Sequence, residues 1–259
     1  MPPHTEGMRA LVITSALLLT SALAQAAPRT WHFTCDYYNL DVKGNLAGRQ
    51  RYSASYTRGL RGDVVRWSDV TVASSSGWSD DFGPAQKQDF MEGFSYPWSK
   101  AAEDGSPDFF HGFPPMAIQQ RNLIWDTHMF EGFVAEFDHL KPNIPYHVPN
   151  TGAMNLAGAG TFRNRDLQLI LTGSSKRNGQ ECAVIDYRAF FNTIEGKTPA
   201  FALVGRSDYW GQIWVSLATK QIEYATLYEE VLGELTLQGQ EKPMTISVVR
   251  VGVFEPAEQ

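Results

Sequence analysis

The stretch Ala183-Val184-Ile185-Asp186-Tyr187-Arg188-Ala189-Phe190-Phe191 decides the fold class of this chain. Ala183, Ile185, Tyr187, Ala189 and Phe191 form its longest clean alternation, and a period of two puts alternate side chains on one face of a β-strand. Upstream, Leu167, Leu169 and Leu171 alternate with Gln168 and Ile170, and Lys176-Arg177-Asn178-Gly179 reads as the hairpin tip between the two runs. Downstream, residues 210–217 and 221–230 flank the turn Ala218-Thr219-Lys220. Tyr224, Leu227, Tyr228, Val231, Leu232 and Leu235 fit a helical period as well. The Tyr and Thr content and the neighbouring hairpin select strand. A last strand covers about 244–255.

The amino-terminal part repeats the pattern. Trp31, Phe33, Cys35 and Tyr37 alternate with His32, Thr34 and Asp36, Tyr52, Ala54 and Tyr56 follow the turn at Lys43-Gly44-Asn45, and a third strand is expected at 63–73. Residues 74–150 interrupt the rhythm as an irregular and helical insertion. Its first half is punctuated by Ser-Gly, Asp and Pro signals yet carries Trp78, Phe82, Phe90, Phe94, Trp98, Phe109, Phe110 and Phe113. A long loop with that many rings either packs on the domain or lines something. A helix is expected over about 115–140, with Trp125, Met129, Phe133, Phe137 and Leu140 as its apolar stripe and Pro142 and Pro145 beyond its end. Together these elements predict a mainly β fold, a curved antiparallel sheet or open half-barrel with a helix-bearing aromatic insertion, as a single domain over 27–259.

Composition agrees with a packed globular chain. Of 259 residues, 43% are apolar and 19% charged, and the 7 Trp, 10 Tyr and 15 Phe supply a sizeable core. The net charge of -6 argues against a nucleic-acid partner. Residues 11–24 form an apolar run preceded by Arg9 and followed by Ala24-Gln25-Ala26, the pattern of a secretory signal peptide cut after Ala26. The run is shorter than the roughly 20 residues that span a bilayer. Cleavage removes one acid, Glu6, and one base, Arg9, so the mature chain keeps its charge of -6. The expectation is an exported protein, periplasmic or extracellular, with no transmembrane segment after cleavage. Cys35 and Cys182 are the two cysteines, and in an oxidising compartment they are expected to pair, closing a loop worth roughly 4–5 kcal/mol in the chain-entropy model.

Catalytic motifs are sparse. Walker, G-x-G-x-x-G, G-x-S-x-G, S-x-x-K and H-E-x-x-H patterns are all missing from the sequence. Ala157-Gly158-Ala159-Gly160 reads as a bulge or a close backbone approach. Asp126, His128 and Glu131, with Glu136 and His139 further along and His111 and His147 flanking, are the acid–base candidates. His128 and His139 lie about 16 Å apart along a helix and cannot share one zinc ion. Carboxylate pairs such as Asp186 with Glu229 or Glu230 could serve a glycosidase if they converged within about 5–9.5 Å. No cofactor and no metal is expected.

The strand rhythm ending in Tyr209-Trp210-Gly211-Gln212-Ile213-Trp214, Gln221-Ile222-Glu223-Tyr224-Ala225 and Ser247-Val248-Val249-Arg250 resembles, in outline, exported bacterial β-rich proteins of unknown function and periplasmic lipoprotein carriers of the LolA/LppX type. That resemblance implies a curved open sheet closed by helices around an apolar cavity. The leading expectation is therefore non-catalytic binding of an apolar or amphipathic, lipid-like small molecule between sheet and helix. Trp125, Met129, Phe133 and Phe137 would form the gate, with Tyr187 and Phe191 on the sheet side. Two other readings stand beside it: a secreted hydrolase centred on Asp126, His128 and Glu131, and an envelope protein-interaction module presenting a flat apolar patch to a protein partner.

Overall fold

A computed structural model describes residues 28–79, 81–101, 105–149 and 152–257. The expected signal peptide, 1–26, lies outside the described residues. In chain order the elements are β1 (Arg29–Leu40), β2 (Leu46–Arg58), β3 (Val64–Ser75), β4 (Gln86–Lys87), β5 (Ser95–Pro97), α1 (Trp98–Ala101) and α2 (Ile118–Ala135). There follow β6 (Tyr146–His147), β7 (Ala153–Asn155), β8 (Gly160–Arg163), β9 (Asp166–Arg177), β10 (Gln180–Lys197), β11 (Phe201–Ser216), β12 (Ile222–Leu237) and β13 (Met244–Pro256). The segment with two readings, 221–230, is strand, and it extends to Leu237.

The strands form one curved, unclosed antiparallel sheet in the order β4-β3-β2-β1-β13-β12-β11-β10-β8-β7, with β5 on β3, β9 also on β10, and β6 on β9. The first long strand thus pairs with the last. Register lines the inner face in rows. Ala54, Phe33, Phe254, Ala225, Ile213, Ile185 and Leu171 stand level on successive strands, and so do Gln50, Tyr37, Arg250, Glu229, Tyr209, Ala189 and Leu167. Between them the Tyr187 hydroxyl donates to the Thr226 carbonyl, 2.6 Å away. Gly211 leaves room for that crossing, since a Cβ there would stand 2.7 Å from the hydroxyl and 2.0 Å from the carbonyl oxygen.

Helix α2 lies in the trough. Its Phe130 ring packs at 6.0 Å from Phe33 and 5.9 Å from Phe254, and Phe133 sits 5.1 Å from Tyr187, spacings typical of aromatic pairs. The helix is shorter than the sequence predicts. It begins three residues after Pro115 and ends at Ala135, and a separate 3-10 turn holds Phe137. Arg121 bonds the carbonyls of Pro114 and Pro115, which fixes the approach to the first turn. The insertion's rings pack on one another: Phe94, Tyr96, Phe109, Phe110 and Phe113 stand edge-on at 4.9–5.7 Å.

The expected disulfide is absent: Cys35 and Cys182 are both free and buried. Register explains this. Cys35 on β1 and Cys182 on β10 are separated within the sheet by β13, β12 and β11, four strand spacings of about 4.8 Å each, whereas a disulfide requires Cα atoms within about 7 Å. Burial also pushes the Cys35 thiol up to about 12, against the pull of Arg250, so little thiolate is present at neutral pH. A thiol reagent such as Ellman's should leave the native protein unlabelled and titrate two thiols per chain once guanidinium unfolds it without reductant; no reactive thiol after unfolding would restore the bridge.

Candidate functional site

The space expected to hold a ligand, between α2 and the sheet, is filled by side chains. Phe133 and Tyr187, assigned to opposite sides of a gate, are in contact, and both are buried. Trp125, Met129 and Phe137 lie half-buried at the flank of the helix. The face pressed into the trough carries Leu123, Ile124, Thr127 and Phe130 instead. Phe191 is not among these residues. It is 72% exposed, at a bulge between Ala189 and Asn192 with φ of 61°, where its amide binds the Asp208 carboxylate. The bulge reverses the inward phase that the alternation assigned to this position.

Asp126, His128 and Glu131 go to different partners. Asp126 and Glu229 both accept hydrogen bonds from the Arg250 guanidinium, and Ser207 donates to Glu229 at 2.5 Å. Burial, reinforced by Glu229 and opposed by Arg250, pushes the Asp126 carboxyl up to about 7. The cluster faces Tyr37, Cys35, Tyr187 and Tyr209 from the sheet and lines neither cavity described below. Chemically it ties helix to sheet. Glu131, five residues on, accepts from Arg58 at 2.8 Å and Tyr56 at 3.0 Å, and burial raises its pKa against the pull of Arg58. His128 packs against Trp98 with the rings tilted and 5.3 Å apart, and burial, aided by Arg58, lowers its pKa. Asp186 bonds Gln212 on the outer face, so it and the inward Glu229 lie on opposite sides of the sheet. Among the described residues no group of three His, Cys, Asp or Glu side chains is arranged to hold a metal ion.

Two cavities open at opposite ends of α2. One, of about 290 Å3, lies beside the helix carboxyl end. Its apolar lining is Trp31, Phe254, Ile222 and Val134, and its charged lining is Arg29, Arg58, Lys220 and Glu131. The β-sheet dictates most of this: Trp31 and Phe254 belong to the inward alternation, while Arg29 and Arg58 pair across strands at the sheet's rim. Arg29 binds Glu223 at 2.7 Å and Gln221 at 2.6 Å, and Arg58 binds Glu131. Lys220, at the turn before β12, has no carboxylate partner among the described residues; its ammonium sits 4.1 Å from the centre of the Phe137 ring. The site therefore offers an apolar floor under a net cationic mouth. Such a combination takes an amphiphile with an anionic head. Of the sequence-assigned residues only Glu131 lines it directly, with Phe137 touching Lys220. Trp31 was legible as a member of the first apolar alternation, but nothing in the reading of the residues marked Phe254, Arg29, Arg58 or Lys220.

No protein-family model and no curated protein matches the sequence. Among solved structures, a lipovitellin described under "Lipid-protein interactions in lipovitellin" superposes with a TM-score of 0.44 at 9% identity, over 89% of this chain and 25% of that one. The chain thus spans about a quarter of that protein's length.

Proposed function

We propose that this is an exported, non-catalytic protein that binds an apolar or amphipathic ligand, and that it holds the ligand at the end of the trough beside Lys220. Export rests on the sequence of residues 9–26. The observation that carries the binding reading is the cavity floored by Trp31, Phe254 and Ile222 beneath an ammonium group without a carboxylate. At about 290 Å3 it sits at the small end of ligand pockets, so it encloses only part of a long-chain amphiphile and leaves the rest at the opening. The convex face favours one other reading, an envelope interaction module: Phe190, Trp210 and Tyr228 form a partly exposed row there, with Trp210 and Tyr228 stacked at 6.0 Å.

Native mass spectrometry of the mature protein from its own host, with metal analysis, tests the first reading. A mass excess released as an amphiphile is expected. In vitro, dansyl-labelled undecanoate should bind, and Lys220→Glu should weaken it about tenfold, the loss of one charge-assisted contact. A clean apo mass together with no undecanoate binding would overturn the proposal and leave the interaction module ahead.

A further inference from the structure

The second cavity carries a separate inference. It has about 360 Å3, is walled by Pro107, Met116, Ala159, Pro199 and Phe201, and is lined on the helix side by Arg121 in the first turn of α2. Three arginines are buried among the described residues. Arg49 is paired with Asp36, and Arg250 with Asp126 and Glu229. Arg121, only 7% exposed, has no carboxylate among the described residues; its Nη atoms reach the carbonyls of Pro114 and Pro115, its Nε has no partner among them, and the Phe110 ring lies 5.5 Å away. Carbonyl oxygens solvate a guanidinium without neutralising it, and buried charges are ordinarily paired.

The helix end adds to the same field. Ala117 at the cap position provides no side-chain acceptor and the first turn holds no acid, so the positive end of the helix dipole is uncompensated where Arg121 stands. An anion seated there would meet both.

We infer that this cavity binds a small monocarboxylic acid, its carboxylate on the Arg121 guanidinium and its apolar body against Pro107, Met116 and Phe201. The volume limits the body. At about 30 Å3 per water-sized group, 360 Å3 accommodates about twelve non-hydrogen atoms, and an eight-carbon acid fits. The walls are mostly apolar, and the hydroxyl of Thr198 in the lining already accepts from the Ala200 and Phe201 amides, so a polyhydroxylated ligand would find few side-chain partners. A phosphate dianion would lack the second cation its charge demands, because Arg121 is the one charged residue of the lining among the described residues.

The probe is octanoate labelled with carbon-13 at its carboxyl group, added to the mature protein and followed by NMR. Two saturable bound carboxyl signals are expected, one from the trough end beside Lys220 and one from this cavity; the second is the signal scored here, and octanol, equal in chain length but neutral, does not displace it. Arg121→Gln should weaken binding at least tenfold. Ala200→Trp, at an exposed position of the rim, should do the same without touching the buried arginine. Lys220→Glu, at the other end of the helix, should leave it within twofold. No saturable binding, or an affinity unaltered by both Arg121→Gln and Ala200→Trp, would overturn the assignment. Loss confined to Lys220→Glu would also overturn it, by placing octanoate at the trough end while sparing the function proposed there.

Discussion

An Arg250→Met variant should lose about 3–5 kcal/mol of stability, read as a fall in the urea midpoint at unchanged slope. Arg250 projects from β13 into the trough, where it donates from one Nη to Asp126 of α2 and from the other to Glu229 of β12. All three residues are buried. Removing the guanidinium leaves Glu229 with only the Ser207 hydroxyl and Asp126 with no partner among the described residues, so in an apolar interior each must either keep an unpaired charge or take up a proton, and both cost stability near neutral pH. The defect lies in the stranded carboxylates more than in a lost contact. Adding Asp126→Asn and Glu229→Gln to Arg250→Met should therefore recover most of the loss, since replacing a whole buried ionic set is often close to neutral. A single-variant loss below 1 kcal/mol would show that the three groups are not coupled as described.

The same cluster gives stability a pH dependence of definite sign. With its pKa raised from 3.8 to about 7, Asp126 binds a proton more tightly in the folded chain than in the unfolded one. Its contribution is fully present below about pH 4 and declines as pH rises through 7, by an amount on the order of 4 kcal/mol. The charged groups facing it are Arg250 on β13 and Glu229 on β12, with Tyr187 and Tyr209 from β10 and β11 adding low-dielectric surroundings. Other carboxylates act oppositely; Arg51 and Arg49 hold Asp36 below its ordinary value despite its burial. The measurable quantity is thus a difference. Wild type minus Asp126→Asn, followed by urea unfolding from pH 4 to 8, should fall steadily with pH, and a flat or rising difference would sink the assignment.

Much of this was legible in the residues themselves. The alternations at 31–37, 52–56, 167–171 and 183–189 each identify a half-buried strand and its inner face, because a period of two leaves no other regular way to bury one set of side chains. Asn178-Gly179 marks a hairpin, and both residues have the positive φ, 50° and 74°, that such a turn requires. Arg250 and Glu229 carried a signal that passes easily unread: each is a charge in phase with an apolar face, at the step where Phe254 and Gly252, or Ala225 and Leu227, predict another inward residue. Phe191 shows the converse. Its place in the alternation is regular, and a bulge held by Asp208 turns it outward.

What the sequence alone determined is the long strands, the inward faces at 31–37, 52–56, 167–171 and 183–189, and the presence of one helix in the insertion, all consequences of interactions within a few residues. Which side of that helix is buried was not among them, since Leu123, Ile124, Thr127 and Phe130 take the place of most of the expected stripe. Partners across the sheet were decided only by the tertiary structure. The pairing of β1 with β13 brings Tyr37 beside Arg250, the return of α2 over the trough brings Asp126 to the same guanidinium, and the distance between β1 and β10 keeps Cys35 from Cys182. Both cavities likewise arise where separated segments meet: Arg58 with Lys220 at one end of α2, Arg121 with Pro199 at the other. The physical reason is the same throughout: local periodicity reports which side of a strand is buried, while the identity of the group across from it depends on strand order, and strand order is set by the packing of the whole sheet.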